Sequence, residues 1–126
     1  MYLGLDLGTS SVKVIVIDED GMTVAQSSCS LSISRPHPLW SEQNPDDWLR
    51  AAEESILSIP KEIRQNIQGI GLSGQMHGEV LLDKKNRPLR PAILWNDGRS
   101  FKECREIELN NPQLHSITGN QVMPGF

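Results

Sequence analysis

The opening third of the chain carries the residue pattern of short β-strands. Apolar residues concentrate at 2–5 and again at 12–17, and this pattern predicts two short buried strands. The small and hydroxyl-bearing residues between them, 8–11, predict a tight hairpin turn. A third strand is expected over 22–29, after a turn rich in acidic residues and glycine. Together these segments predict an antiparallel meander of three strands.

A helical pattern begins after Asn44. Asn44 is a favourable N-cap residue, Pro45 is suited to the first helical position, and Pro60 is expected to end the helix. Apolar residues at helical spacing predict its core face: Trp48, Ala52, Ile56 and Ile59. A second helix is expected over 98–109, with Asp97 as its cap.

Further strands are expected in the second half of the chain. Residues 67–72 predict a buried strand, and Gly69 and Gly71 would leave one of its faces as bare backbone, against which a helix or a ligand packs. Residues 80–82 and 91–95 predict two more short strands with a polar turn between them.

Composition narrows the classes of function. The chain has 126 residues, a formal net charge of −4 and two cysteines. Its length fits one domain, and its scattered basic residues argue against a nucleic-acid or anionic-membrane surface. No apolar run approaches the roughly 20 residues of a membrane helix, and the first residues do not resemble a signal peptide. Cys29 and Cys104 match no metal or redox spacing, so we expect reduced thiols and a cytoplasmic protein.

The first candidate site is the turn that follows Asp6. The backbone N–H groups and hydroxyls of Gly8, Thr9 and Ser10 can receive an anion, and Lys13 adds a positive charge. A carboxylate beside a phosphate is repulsive unless a divalent cation lies between them, so Asp6 is interpreted as a Mg²⁺ anchor. The alternative is an ordinary hairpin in which Asp6 only caps the turn.

Two further segments carry polar groups suited to a polyol. In the first, Gln75 and His77 can exchange hydrogen bonds with hydroxyls, and Met76 offers an apolar wall; the alternative is a structural histidine. In the second, the residues 95–97 place a tryptophan face beside an amide and the Asp97 carboxylate. Arg99 could hold Asp97 in place or could simply cap a helix. The alternative for this segment as a whole is a capped helix with a buried tryptophan.

Six segments taken together resemble a known family. They read DLGTSSVK, SRPHPLWSEQNP, SGQMHGEVLLD, RPAILWNDGR, ITGN and MPGF. They are similar to the start of an FGGY carbohydrate kinase, and within that family to the kinases that act on D-xylulose. The resemblance covers Tyr2 to Phe126. Glycerol kinases of the family carry an Arg-Glu pair where this chain has Met76-His77, which favours a ketopentose over glycerol.

The resemblance implies a fold and an activity. The fold would be α/β, a ribonuclease-H-like N-terminal lobe of the actin-like ATPase type, with a mixed β-sheet and flanking helices. Residues 1–126 would form the N-terminal domain without the C-terminal lobe. The activity would be ATP- and Mg²⁺-dependent phosphorylation of D-xylulose to D-xylulose 5-phosphate, a step of xylose catabolism. The full-length enzyme would be a cytoplasmic homodimer without nucleic-acid or membrane partners.

The resemblance also implies roles for individual residues. Asp6 would serve the Mg²⁺–phosphate centre, Met76 and His77 would contact the sugar, and Asp97 would lie near it. The first phosphate loop would comprise Gly8, Thr9, Ser10 and Lys13. Because the family's catalytic base and adenosine pocket lie beyond Phe126, the 126-residue chain alone is expected to be inactive. The alternatives are another FGGY sugar kinase and a non-catalytic sugar-binding lobe. A nuclease is disfavoured, because it needs several convergent carboxylates.

Overall fold

The computed structural model describes all residues from Met1 to Phe126. Its elements are the strands β1 (Tyr2–Leu7), β2 (Ser11–Ile17), β3 (Thr23–Ser30), β4 (Glu42–Gln43), β5 (Gly69–Gly74) and β6 (Ala92–Ile93), and the helices α1 (Pro45–Leu57), α2 (Lys61–Arg64), α3 (Phe101–Asn110) and α4 (Leu114–Thr118). They form two compact units. The first unit comprises Met1–Ile33 and Asn44–Gln75, and the second comprises Ser34–Gln43 and Met76–Phe126.

A four-stranded mixed sheet organises the first unit, in the order β3-β2-β1-β5. The first three strands are antiparallel, which confirms the predicted meander, and β5 joins β1 in parallel. In this register Asp6 faces Lys13 on β2 and Ser73 on β5. The sheet therefore places the strand-end carboxylate between a cation and a hydroxyl.

Helix α1 covers one face of this sheet and completes the core. Asn44 caps it by accepting a hydrogen bond from the Asp46 N–H at 3.1 Å, as the sequence predicts. Leu3, Val14, Val16 and Ile59 are buried together beneath it. The centre of the buried helix face is Ala51 and Ser55, one residue away from the predicted Ala52 and Ile56. Helix α1 ends at Leu57, before Pro60, in line with the expected end of the helix. Pro60 also occupies the N-cap position of the short helix α2, which the sequence did not predict.

Strand β5 is exposed, and the prediction that it is buried is wrong. Ile70 and Leu72 are both largely exposed, because β5 lies at the edge of the sheet while α1 packs mainly on β2 and β3. A Cβ added to Gly71 would meet no atom within 4 Å. The sheet face opposite α1 forms an open groove of about 840 Å³, lined by Asp6, Lys13, Gly71 and Ser73 among others.

Irregular backbone makes up much of the second unit. The strands β4 and β6 form an antiparallel pair, and Glu79 and Leu82 each make one isolated bridge, so the strand predicted over 80–82 does not form. The predicted polar turn does form, since Asp83 accepts hydrogen bonds from the Lys85 and Arg87 N–H groups. The segment after it cannot complete a ladder, because Pro88 and Pro91 have no N–H to donate.

The helices of the second unit differ from the prediction at their starts. Helix α3 begins at Phe101 with Ser100 at its N-cap position, so the prediction that Asp97 caps this helix is wrong. Helix α4 was not predicted; it ends at Gly119, whose φ of 68° lies in the left-handed region that favours glycine. None of the helices combines the length and the apolar composition needed to cross a membrane. Both cysteines are free thiols.

Candidate functional site

The carboxylate of Asp6 is oriented by a neighbouring strand. The Ser73 hydroxyl donates a hydrogen bond of 2.7 Å to Asp6 Oδ1, across the parallel β1–β5 pair. Sequence reasoning assigned Ser73 no role of its own. Its position is visible only once β5 is known to pair with β1 in this register.

The turn after Asp6 is held by hydrogen bonds at both of its ends. The Gly8 N–H donates to the Ser11 carbonyl at 3.0 Å, which confirms the tight hairpin. The Thr9 hydroxyl donates to the side-chain oxygen of Gln75 at 3.0 Å, and the Gln75 N–H donates to the Leu7 carbonyl at 2.8 Å. Gln75, which the sequence suggested as a ligand for hydroxyls, thus braces the turn.

Gly8 allows the turn to lie close to the carboxylate. A Cβ at this position would lie 3.1 Å from the Ser11 carbonyl oxygen and 3.7 Å from Asp6 Oδ2. The first distance is tighter than an ordinary contact with a backbone atom, which cannot rotate away. The space beside Asp6 is therefore kept by the absence of a side chain.

The donor set of the first unit suits Mg²⁺ bound together with a phosphate. The structure contains no group of three or more His, Cys, Asp or Glu side chains that could enclose a metal ion by itself. Mg²⁺ is commonly held by one or two carboxylates, with water and phosphate oxygens completing its shell. A single oriented carboxylate in an open groove with Lys13 and hydroxyl groups fits that requirement.

In the second unit, Met76 and His77 are exposed. His77 has a φ of 60°, which is uncommon for a residue with a side chain. Its ring stacks on that of Phe126, with centroids 4.0 Å apart and planes inclined by 21°. The adjoining backbone is anchored, because the Glu79 N–H donates to the Ile93 carbonyl at 3.3 Å. The imidazole is thus oriented by an aromatic neighbour.

The segment Met123–Phe126 also touches the tryptophan segment. A Cβ added to Gly125 would lie 1.7 Å from the Trp95 carbonyl oxygen, so only glycine allows the two backbones to approach this closely. This segment is one of the six that carry the family resemblance, but no role was predicted for its residues. The Pro-Gly pair predicts a turn, whereas the contact with Trp95 is a long-range feature that a local pattern does not carry.

Asp97 lies at the centre of a buried ion cluster. Its Oδ1 accepts hydrogen bonds from the Arg99 N–H and from Arg99 Nε, each at 2.9 Å. Its Oδ2 accepts from the Ser41 N–H at 2.6 Å and from Arg99 Nη2 at 2.7 Å. The residue is only 2% exposed. Of the roles left open for Arg99, the structure supports the one in which it holds Asp97 in place.

The cluster extends from Arg99 to two more side chains. Arg99 Nη2 also donates to Glu42 Oε1 at 2.7 Å, and the guanidinium lies 3.6 Å from the ring centroid of Trp40. Burial would raise the pKa of Asp97, but the hydrogen bonds from Arg99 and from the Ser41 N–H outweigh it and hold this pKa below its usual value. Asp97 is therefore ionised at neutral pH.

The structure thus groups the candidate residues within each unit. In the first unit, Asp6 and the turn 8–10 share a sheet end with Lys13 and are braced from β5. In the second unit, His77 is paired with Phe126, and Asp97 is turned into the protein rather than towards solvent. The residues that sequence reasoning missed act as partners of the ones it found: Ser73, Phe126 and Glu42.

Comparison with known proteins assigns this arrangement to a family. The sequence profile of the N-terminal domain of the FGGY family of carbohydrate kinases matches residues 1–126. The xylulose kinase of Escherichia coli (strain K12) is 51% identical over 127 residues, which is 100% of this chain and 26% of that protein. The xylulose kinase of Klebsiella pneumoniae is 49% identical, again over 100% of this chain and 26% of that protein.

A solved structure agrees with the comparison of sequences. The crystal structure of a kinase from Brucella ovis, described as a xyloylose kinase, superimposes with a TM-score of 0.93 at 51% identity, over 99% of this chain and 27% of that one. The chain thus spans about a quarter of the length of the relatives it matches. The mixed sheet and the helix on its face are those of the actin-like ATPase fold of sugar kinases, as the sequence predicted. The chain belongs to the FGGY family of carbohydrate kinases and carries the family's N-terminal domain sequence.

Proposed function

We propose that the chain is the N-terminal part of an ATP-dependent kinase that converts D-xylulose to D-xylulose 5-phosphate. The observation that carries this proposal is the end of β1, where Ser73 orients Asp6 beside a turn of small residues and Lys13. Its support for a sugar substrate is the 51% identity to a xylulose kinase. The proposal includes a cytoplasmic homodimer for the complete enzyme, with ATP and Mg²⁺ as its cofactors.

In this proposal the first unit receives the phosphates. Asp6 would hold Mg²⁺, directly or through water, and the metal ion would neutralise charge on the phosphate oxygens. The turn of Gly8, Thr9 and Ser10 would approach the phosphates, with the Gly8 N–H and the Thr9 hydroxyl holding its shape through their existing hydrogen bonds, and Lys13 would add a positive charge. The bracing of Thr9 by Gln75 supports this role, because phosphoryl transfer depends mainly on positioning and charge stabilisation.

The second unit would receive the sugar. His77 offers a donor and an acceptor to sugar hydroxyls, and Met76 offers an apolar surface to the carbon chain. The exposure of both side chains and the stacking of His77 on Phe126 support this role. The base that removes the proton from the attacking hydroxyl is proposed to lie beyond Phe126, so residues 1–126 alone would not turn over.

The decisive test replaces Asp6 with alanine in the complete kinase. We expect turnover to fall by roughly a hundredfold or more, since a group that stabilises transition-state charge is lost, while D-xylulose binding measured by calorimetry stays the same. Asp20→Ala is the matched control, because it removes the same charge from an exposed turn of the same unit. Normal turnover in the Asp6 variant would exclude Asp6 from the mechanism.

A panel of substrates tests the choice of sugar. The complete enzyme is assayed for release of ADP with D-xylulose, other ketopentoses, glycerol and gluconate. We expect the highest kcat/KM with D-xylulose. A higher value for another polyol or sugar acid would leave a kinase of the same family with a different substrate.

A further inference from the structure

We infer that Asp97 is a positioning residue for the sugar and not one of its ligands. Its carboxylate fixes the turn formed by residues 94–98, so that the exposed residues of that turn, Trp95 and Asn96, are held ready for a polyol. The inference rests on the proposed function for the identity of the ligand. The architecture of the turn is independent of that identity.

The hydrogen-bonding capacity of the Asp97 carboxylate is already fully used. An ionised carboxylate has about four lone-pair positions, and Asp97 uses two on each oxygen, for Arg99 and for the Ser41 N–H. Its side chain has no solvent exposure. A sugar hydroxyl would have to displace one of these charge-assisted or backbone hydrogen bonds in order to reach it.

In the turn, two exposed residues lie between two buried ones. Leu94 and Asp97 are buried, whereas Trp95 is 45% exposed and Asn96 is also exposed. The Leu94 N–H donates to the Ser41 carbonyl and the Asp97 N–H donates to the Leu94 carbonyl, both at 3.0 Å. The two buried residues are therefore the anchors, and the two exposed residues are what the turn displays.

The ion pair that holds the turn also binds a segment distant in the chain. Arg99 joins Asp97 to Glu42 on β4 and covers the Trp40 ring. The Gly98 N–H donates to the Leu39 carbonyl at 2.7 Å, and Leu39 has a left-handed φ of 70° that a leucine rarely adopts. A strained residue persists only where its surroundings determine its conformation. The turn of residues 94–98 and the segment 39–42 thus stabilise each other's conformation.

The test compares variants at both ends of the cluster in the complete kinase. Asp97→Asn keeps the shape but removes the charge, and Glu42→Gln changes the other carboxylate that binds Arg99. We expect Asp97→Asn to raise the KM for D-xylulose about tenfold and Glu42→Gln to raise it severalfold, with kcat and the KM for ATP within about twofold of wild type. Asp83→Asn is the matched control, because Asp83 also accepts from two backbone N–H groups and an arginine, in an exposed turn.

The pattern of the kinetic constants separates positioning from contact. If Asp97→Asn raises the KM for D-xylulose and Glu42→Gln leaves it at the wild-type value, then Asp97 binds the sugar directly and the inference is overturned. A loss of active enzyme without a change in either KM would mean a purely structural role, and would overturn it too. If Asp97→Asn does not fold, Glu42→Gln decides alone, since its wild-type KM would contradict a shared anchor.

A second measurement does not depend on activity. The 126-residue chain is labelled with 5-fluorotryptophan, and its three ¹⁹F resonances are assigned with single Trp→Phe variants. We expect Asp97→Asn and Glu42→Gln to move the Trp95 resonance, Asp83→Asn to leave it in place, and none of them to move that of Trp48, which lies in the first unit. An unmoved Trp95 resonance in folded Asp97→Asn refutes the positioning role. A wild-type enzyme that phosphorylates no sugar refutes only the proposed function.

Discussion

Replacing Gly125 with alanine tests whether the backbone of Met123–Phe126 packs directly against the backbone of Trp95. The new Cβ would lie 1.7 Å from the Trp95 carbonyl oxygen, 2.3 Å from its carbonyl carbon and 2.9 Å from its Cα. All three atoms belong to the backbone, so no change of rotamer can relieve the overlap. Either Met123–Phe126 or the backbone at Trp95 has to move by about 1.5 Å or more to restore ordinary contact distances.

The expected cost follows from the two contacts that such a movement disturbs. Forcing an extra carbon into a packed region typically costs about 1–3 kcal/mol. A shift of this size also separates Phe126 from His77, now 4.0 Å apart between ring centroids, and aromatic pairs contribute about 0.5–1.5 kcal/mol beyond the area they bury. We therefore expect the free energy of unfolding to fall by about 1.5–4.5 kcal/mol. The loss in the free energy of unfolding cannot exceed the free energy needed to detach Met123–Phe126, because a larger strain would release that segment instead.

Two measurements on the 126-residue chain check this expectation. Thermal denaturation reports the change in stability, and the chemical shifts of the His77 ring protons report the stacking, because a neighbouring ring shifts them upfield. Phe126→Leu gives the shift of an unstacked His77. Gly78→Ala is the matched control, since its Cβ would meet only the Ile93 carbonyl oxygen at 3.8 Å, an ordinary contact.

One result would refute the predicted contact between Met123–Phe126 and Trp95. If Gly125→Ala unfolds at the same temperature as Gly78→Ala and keeps the wild-type His77 shifts, then the segment does not press on Trp95 in solution. Its role in orienting His77 would then have to be abandoned. If Gly125→Ala matches Phe126→Leu in the His77 shifts, the segment has left its place, as expected.

Three further predictions concern single features of the structure. Ser73→Ala removes the donor to Asp6, and we expect calorimetry on the complete enzyme to show Mg²⁺–ATP affinity reduced by about threefold to tenfold at an unchanged thermal midpoint. Because the pKa of Asp97 is held below its usual value, its ionisation stabilises the fold above about pH 4 and this stabilisation is lost as the pH falls through the folded-state pKa; wild type should therefore lose stability more steeply than Asp97→Asn in acid denaturation. Leu72 is 76% exposed on the edge strand, so the 126-residue chain should self-associate in sedimentation and Leu72→Ser should reduce this; a wild-type monomer would contradict it.

The sequence was most informative where local chemistry decides the structure. The three strands of the meander follow from their apolar segments and from the turn residues between them, and α1 follows from Asn44 and Pro45 at its start. These features need no knowledge of distant residues. The turn at Gly8 was predictable for the same reason, because its hydrogen bond closes over three residues.

Local sequence patterns gave wrong predictions where a residue distant in the chain determines the structure. An aspartate just before a helical pattern indicates an N-cap, but at Asp97 the Ser41 N–H, 56 residues away in the chain, and Arg99 take the carboxylate instead. The same limit applies to β5, since its apolar residues predict burial and only the position of α1 shows that Leu72 stays exposed. Pairings of this kind become visible only in the assembled fold.

The partner residues that were not predicted from the sequence explain why the candidate site residues keep their conformations. A short turn loses conformational entropy when a ligand orders it, and a brace from a separate segment removes that cost before binding. Ser73 braces Asp6 through a hydrogen bond that is exposed to water, whereas the hydrogen bonds of Asp97 are buried or partly buried, so Asp97 should be held the more rigidly. The Asp6 side chain should therefore be the more mobile of the two carboxylates, although the turn after it is itself held by Ser11 and Gln75. Under the proposed function, a sugar at the Trp95 turn would meet a surface that is already set before binding.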